Sequence, residues 1–172
     1  MENNTKATPI IQQSKDNHSK GLTHLKALHF QALQQKHPNI PLYAIPKAKY
    51  SDKTANGLTK CIIDFINFMG GQAERINCMG RTIDRRQVKT DVLGKVRVIG
   101  SVDYIPTTMT RGTADISATI RGRAVKIEVK AGNKDRMSEA QREYQQHIES
   151  AGGIYFVART FEQFYTWYNE TF

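Results

Sequence analysis

The sequence predicts an α/β fold in which a central mixed sheet of about four strands, ordered αβββαβ along the chain, is flanked by helices. Three observations predict it. Residues 58–69 carry a strong helical apolar stripe, two strictly alternating strands flank Arg121-Gly122, and a strand–helix–strand unit ends at Ile154–Ala158 (IYFVA). With 172 residues, the chain suffices for one sizeable core. It divides into a disordered tail over 1–20, a helix with a Pro-rich connector over 21–50, and a main domain over 51–172.

Residues 1–18 are polar and aperiodic, which argues against packing. Leu22, Leu25, Leu28, Ala32 and Leu33 make a moderately amphipathic helix over 21–36. Pro38, Pro41 and Pro46 then predict an extended connector to Tyr50. Leu58, Cys61, Ile62, Phe65, Ile66 and Met69 fall on one face of a 3.6-residue period, and Gly70-Gly71 stops that helix. A short strand follows over Gln72–Asn77. Residues 78–112, rich in Arg, Lys, Gly and Thr, read as a loop region with one strand near Val96–Ile99.

In the stretch 114–120, Ala114, Ile116, Ala118 and Ile120 alternate with polar residues. Val125, Ile127 and Val129 do the same over 123–130. Such alternation marks strands buried on one face. Gly122 supplies the positive φ of a type I′ turn between them. Ser138-Glu139-Ala140-Gln141 is a capping-box pattern opening a helix to Ser150, and Gly152-Gly153 precedes the apolar strand IYFVA. That unit is a parallel βαβ crossover. Phe161–Asn169 closes the chain as a helix, with Phe164, Tyr165, Trp167 and Tyr168 packing on the sheet.

Apolar residues at 39% and charged residues at 24% are those of an ordinary soluble domain. No apolar run is long enough to span a membrane, and the N-terminus lacks the apolar stretch of a secretory signal. The two cysteines, Cys61 and Cys78, show no metal-ligand spacing. These features predict a reduced cytoplasmic protein. The net charge is +9 and unevenly spread: residues 75–136 hold fourteen Lys and Arg against six acids, whereas 137–172 hold two against five. A local basic excess fits a polyanion such as DNA, although a merely solubilising surface explains it equally well.

The two-residue turn fixes the hairpin register. Ile120 pairs with Arg123, Ala118 with Val125, Ile116 with Ile127, and by continuation Asp115 with Glu128. Directly opposed residues share a face with Cβ atoms roughly 4.5–5.5 Å apart. Lys130 falls on that face by parity. Two opposed carboxylates repel unless a cation relieves them, and oxygen ligands of this kind suit Mg2+, with Mn2+ able to substitute. A metal, a coordinated water and an adjacent lysine are what phosphodiester hydrolysis needs. On an exposed hairpin face the same three residues would be solvated charges.

Gly112–Asp115 (GTAD), Ile127–Lys130 (IEVK) and Gln141 on the following helix resemble the motifs of the PD-(D/E)XK nuclease superfamily. The SEAQ…AGG…YFVA stretch is similar to its VRR-NUC and Holliday-junction-resolvase-like branch, common in phage and bacterial mobile elements. The resemblance runs over about residues 55–167. It implies a restriction-endonuclease-like core in 51–172, DNA as substrate, and Mg2+ held by Asp115, Glu128 and the Val129 carbonyl. It also implies that Lys130 assists the attacking water and that Gln141 reaches the site. A homodimer is a further implication, since relatives that cut both strands often pair. Ala114 stands where the namesake motif has Pro. Asn56 stands where relatives often carry Glu on the first core helix, with Asp64 the nearest acid there, and the number of metals stays open.

Capping accounts for Gln141 as well as catalysis does. Arg75, Arg81, Arg85, Arg86, Lys89, Arg97 and Arg111 are candidate phosphate contacts or ordinary surface charges. His147 reads as structural; His18, His24, His29 and His37 share no ligand spacing. A non-cutting DNA-binding module of the same fold, an RNA-processing nuclease and an interaction protein for another polyanion are the alternatives to a DNA nuclease.

Overall fold

The computed structural model describes residues 19–77, 80–107, 110–132 and 134–172; residues 1–18 of the tail expected over 1–20, with His18, and Cys78 lie outside them, whereas Ser19 and Lys20 are ordered as the cap and first residue of a helix. The elements run α1 (Lys20–Lys36), α2 (Ala55–Phe68), β1 (Gln72–Arg75), β2 (Arg81–Asp84), β3 (Gln87–Thr90), β4 (Val96–Ile99), β5 (Val102–Ile105), β6 (Ile116–Ile120), β7 (Arg123–Val129), α3 (Glu139–Ser150), β8 (Ile154–Ala158) and α4 (Phe161–Thr171). The fold is mixed α/β. Its four-stranded sheet has the order β1-β6-β7-β8, antiparallel except for the parallel pair β7/β8.

One face of the sheet carries the core. Ile116, Ala118, Ile120, Val125 and Ile127 are buried there with Leu58, Ile62, Phe65 and Ile66 of α2 and Phe161 and Phe164 of α4. Leu25 of α1 is fully buried in the same cluster. Ser19 caps α1, and its hydroxyl donates to the Glu162 carboxylate, which also accepts the Gly21 N–H at 2.9 Å. The first helix thus packs onto the core, while residues 37–44 of the connector stay exposed. None of the described helices is long and apolar enough to cross a membrane.

Three details differ from the sequence expectation. The connector contains a 3-10 turn at Leu42–Ala44, because Pro41 at φ −58° presets a turn start. Met69, the last apolar position of the α2 stripe, is the helix C-cap and is exposed, since the helix ends before it reaches the core. Residues 81–105, expected mostly as loop, form two successive antiparallel pairs, β2/β5 and β3/β4, joined by an Arg85 N–H to Ser101 carbonyl bond of 2.9 Å. Both pairs keep one register, so the segment is a single two-stranded ribbon that bears almost no buried side chain.

Candidate active site

The hairpin turn sets the site. Arg121 and Gly122 take φ of 47° and 77°, as a type I′ turn requires, and the strands pair with Ile116 opposite Ile127. One residue further, Asp115 reaches the Glu128–Val129 segment, and its charge acts on the Glu128 carboxyl. The hydrogen-bonded strand starts only at Ile116, but Asp115 is held on both sides. Its carbonyl accepts the Ile76 N–H at 2.8 Å and its carboxylate accepts the Val129 N–H at 2.9 Å. Gly112, just upstream, packs against the first turn of α3; a Cβ there would come within 2.1 Å of the Ala140 carbonyl. That close approach is why the segment leading to Asp115 needs glycine.

Pleating sends Val125, Ile127 and Val129 into the core and Lys126, Glu128 and Lys130 to the opposite face, which α3 covers. Glu128 is 2% exposed and Lys130 8%. The Glu128 Oε1 accepts from Lys130 Nζ at 2.9 Å and from Gln141 Nε2 at 2.5 Å. Lys130 Nζ also lies 3.7 Å from an Asp135 carboxylate oxygen. The second Glu128 oxygen, Oε2, is buried with no hydrogen-bond partner among the described residues. Burial pushes the Glu128 carboxyl above the ordinary glutamate value; the Lys130 ammonium opposes that shift and the Asp115 charge adds to it.

Gln141 performs the two roles that its sequence position suggested. Its Oε1 accepts the Ser138 N–H at 2.9 Å while the Ser138 hydroxyl accepts the Gln141 N–H, completing the capping box. Its Nε2 meanwhile donates to Glu128. The helix start and the buried carboxylate therefore share one side chain. Gln141→Ala is expected to lower unfolding free energy by about 1 kcal/mol in urea melts, the usual cost of losing a cap. An unchanged midpoint would mean that the cap does not form.

An open cleft of about 880 Å³ lies in front of this group, lined by Asp115 and Gln141 together with Asn56, Arg75, Arg111, Thr113 and Ser138. Glu128 does not line it and is reached through its bond to Gln141. Of the seven basic candidates, the structure brings only Arg75 and Arg111 to the cleft. Arg81, Arg85, Arg86, Lys89 and Arg97 all lie on the ribbon, where Arg86 pairs with Asp84 at 2.7 Å, Arg85 with Asp103 at 3.1 Å and Arg97 with Asp91 at 3.9 Å.

Two residues at the site carried no signal in the sequence. Asp135 belongs to a polar loop. Tyr155 reads as part of an apolar run, yet it shares the α3-facing side with Glu128, and its hydroxyl is buried without a partner among the described residues. Burial, and then the negative charges of Glu128 and Asp115, push that phenol above the usual tyrosine value.

No family model, curated protein or solved structure matches the chain. Function must be read from this geometry. Among the described residues no three His, Cys, Asp or Glu side chains converge as a metal cage. Mg2+ needs none, because it is commonly held by one or two carboxylates and keeps several waters. The donor set fits such an ion. It offers the Asp115 and Glu128 carboxylates, the latter with a buried oxygen that has no partner among the described residues, and a Val129 backbone bound to Asp115.

Proposed function

We propose that the chain is a Mg2+-dependent deoxyribonuclease, an endonuclease that hydrolyses DNA phosphodiester bonds, with the restriction-endonuclease-like core of the PD-(D/E)XK superfamily. The observation that carries this reading is the Glu128 oxygen: buried, without a partner among the described residues, and on a carboxylate that feels the Asp115 charge and has a buried lysine alongside. Leaving such an atom unsatisfied costs about 1–3 kcal/mol in a structural site. A site that binds a cation recovers that cost.

In this reading Asp115, Glu128 and the Val129 carbonyl hold the ion. When bound, it lowers the pKa of a coordinated water and draws charge from the scissile phosphate. The chain's own groups do the rest. Lys130 presents a compact ammonium on the same face, able to stabilise an attacking hydroxide and the charge that develops on phosphate oxygens. Gln141 fixes the Glu128 carboxylate from its capped helix. Arg75 and Arg111 line the open cleft, and in this reading they hold the phosphates on either side of the cut. A cytoplasmic setting belongs to the same proposal, as does a pair of copies for cuts in both strands.

Incubation with plasmid, linear and branched DNA, in Mg2+, Mn2+ or EDTA, tests the proposal. Cleavage should require the divalent ion. No cutting of any of these substrates in either metal would overturn it.

A further inference from the structure

We propose that the β2–β5 ribbon is an arm that lies in a groove of duplex DNA, with Val92 and Leu93 pressed against base steps at its tip. The inference rests on the nuclease reading for the identity of the partner, and on the ribbon itself for the mode of contact. The two arms of the ribbon, residues 81–90 and 96–105, extend about 30 Å at roughly 3.3 Å per residue, close to one turn of B-form DNA. Two-stranded β-ribbons enter the grooves of duplex DNA.

The charge is complementary. Residues 81–105 hold six Lys and Arg against three Asp. On β3/β4, Lys89 and Arg97 are cross-strand partners and so share one face, while Val88 and Val98 pair on the other. Lys89 makes no ion pair among the described residues, and Arg97 reaches Asp91 only at 3.9 Å. Both cations are exposed, so phosphates can compete for them. The ribbon is also continuous with the cleft: Asn77 and Thr107, at its two roots, line the same cavity as Asp115. A duplex seated at the cleft would therefore meet the arm.

The tip is built and not merely loose. Asp91 accepts the N–H groups of Leu93 and Lys95 at 2.9 Å each, and the Gly94 N–H donates to the Asp91 carbonyl at 3.0 Å. The turn satisfies its own polar groups and holds two large apolar side chains outward, with Val92 fully exposed and Leu93 79% exposed. An apolar pair at the end of a basic ribbon is the form of a wedge, which unstacks a base step and bends the duplex.

The test measures binding of the whole chain to a labelled duplex in EDTA, so that binding is separated from cutting. Lys89→Ala with Arg97→Ala should flatten the dependence of log affinity on log salt by about 0.9 for each phosphate no longer neutralised, and weaken binding roughly tenfold. Val92→Ser with Leu93→Ser should abolish a bend of about 20–90°, read by energy transfer between the duplex ends. All four positions are exposed, so folding is not at risk and melting curves will verify it. Salt slope and bend equal to wild type in both variants would overturn the arm while leaving cleavage by the wild type untouched. A wild type that binds and bends the duplex but never cuts would sink the nuclease reading and leave the arm standing. A wild-type dimer that Val88→Lys turns into a monomer, with slope and bend unaffected by the four substitutions, would assign the ribbon to a second copy and overturn the proposal.

Discussion

Asp115→Asn is expected to lower Mg2+-dependent DNA cleavage by about three orders of magnitude, roughly 4 kcal/mol of transition-state stabilisation. The metal-free variant should melt at or slightly above the wild-type temperature. The two expectations follow from one geometry. Asparagine keeps an oxygen to accept the Val129 N–H, so the bond that seats residue 115 survives. It also removes a negative charge that now raises the Glu128 carboxyl, which relieves repulsion in the metal-free site. What it lacks is the second anionic ligand. Mg2+ should accordingly raise the melting temperature of the wild type and not that of the variant, because only binding to the native state shifts the unfolding equilibrium. Cleavage within tenfold of wild type would place the chemistry elsewhere.

The hairpin could be read ahead of the structure because its turn leaves no freedom. A two-residue loop with glycine in second place fixes the pairing of every residue behind it, and parity then fixes the face. The α2 stripe was similarly plain, since a buried helix face repeats every third or fourth residue. The ribbon was not plain, for a physical reason. Strand reading relies on an apolar face turned to a core, and neither face of 81–105 has one. Valines at 88, 96 and 98 do alternate with Lys89 and Arg97, and Asp91…Gly94 is a turn pattern, but each strand is only four residues long. Tyr155 was hidden by the opposite effect. A run such as IYFVA is apolar on both sides of the sheet, so the pattern does not mark the one hydroxyl that faces the carboxylates. Gln141 could not be resolved between cap and site because the sequence allots one role to a residue. In the fold the two ends of its amide serve one role each.

Lys130→Met should produce the largest stability loss of any single substitution at the site, about 3 kcal/mol in the metal-free protein, together with loss of cleavage. Methionine matches the stem of lysine and fills its space, so packing is not the cause. The cause is electrostatic: Lys130 is the cation 2.9 Å from a carboxylate that is 2% exposed, and removing one member of a buried pair strands the other. Glu128 then has only protonation as an escape. Its carboxyl already lies above its ordinary value of 4.5, which means that the folded chain holds this proton more tightly than the unfolded chain does. Between those two values the native state binds more protons, so stability falls as pH rises through the window and the cost is complete above the folded value. Loss of Lys130 removes the main interaction opposing that shift, and the window extends upward. The deficit of Lys130→Met should therefore shrink on acidification, and Glu128→Gln added to it should recover much of the stability at neutral pH, since a neutral amide needs no counter-charge. A single variant within about 0.5 kcal/mol of wild type, the ordinary range of surface changes, would show that the pair is not buried as described. Recovery by the second substitution without any return of cleavage is the signature expected of a cation and a carboxylate kept together for chemistry, because the fold alone needs neither charge.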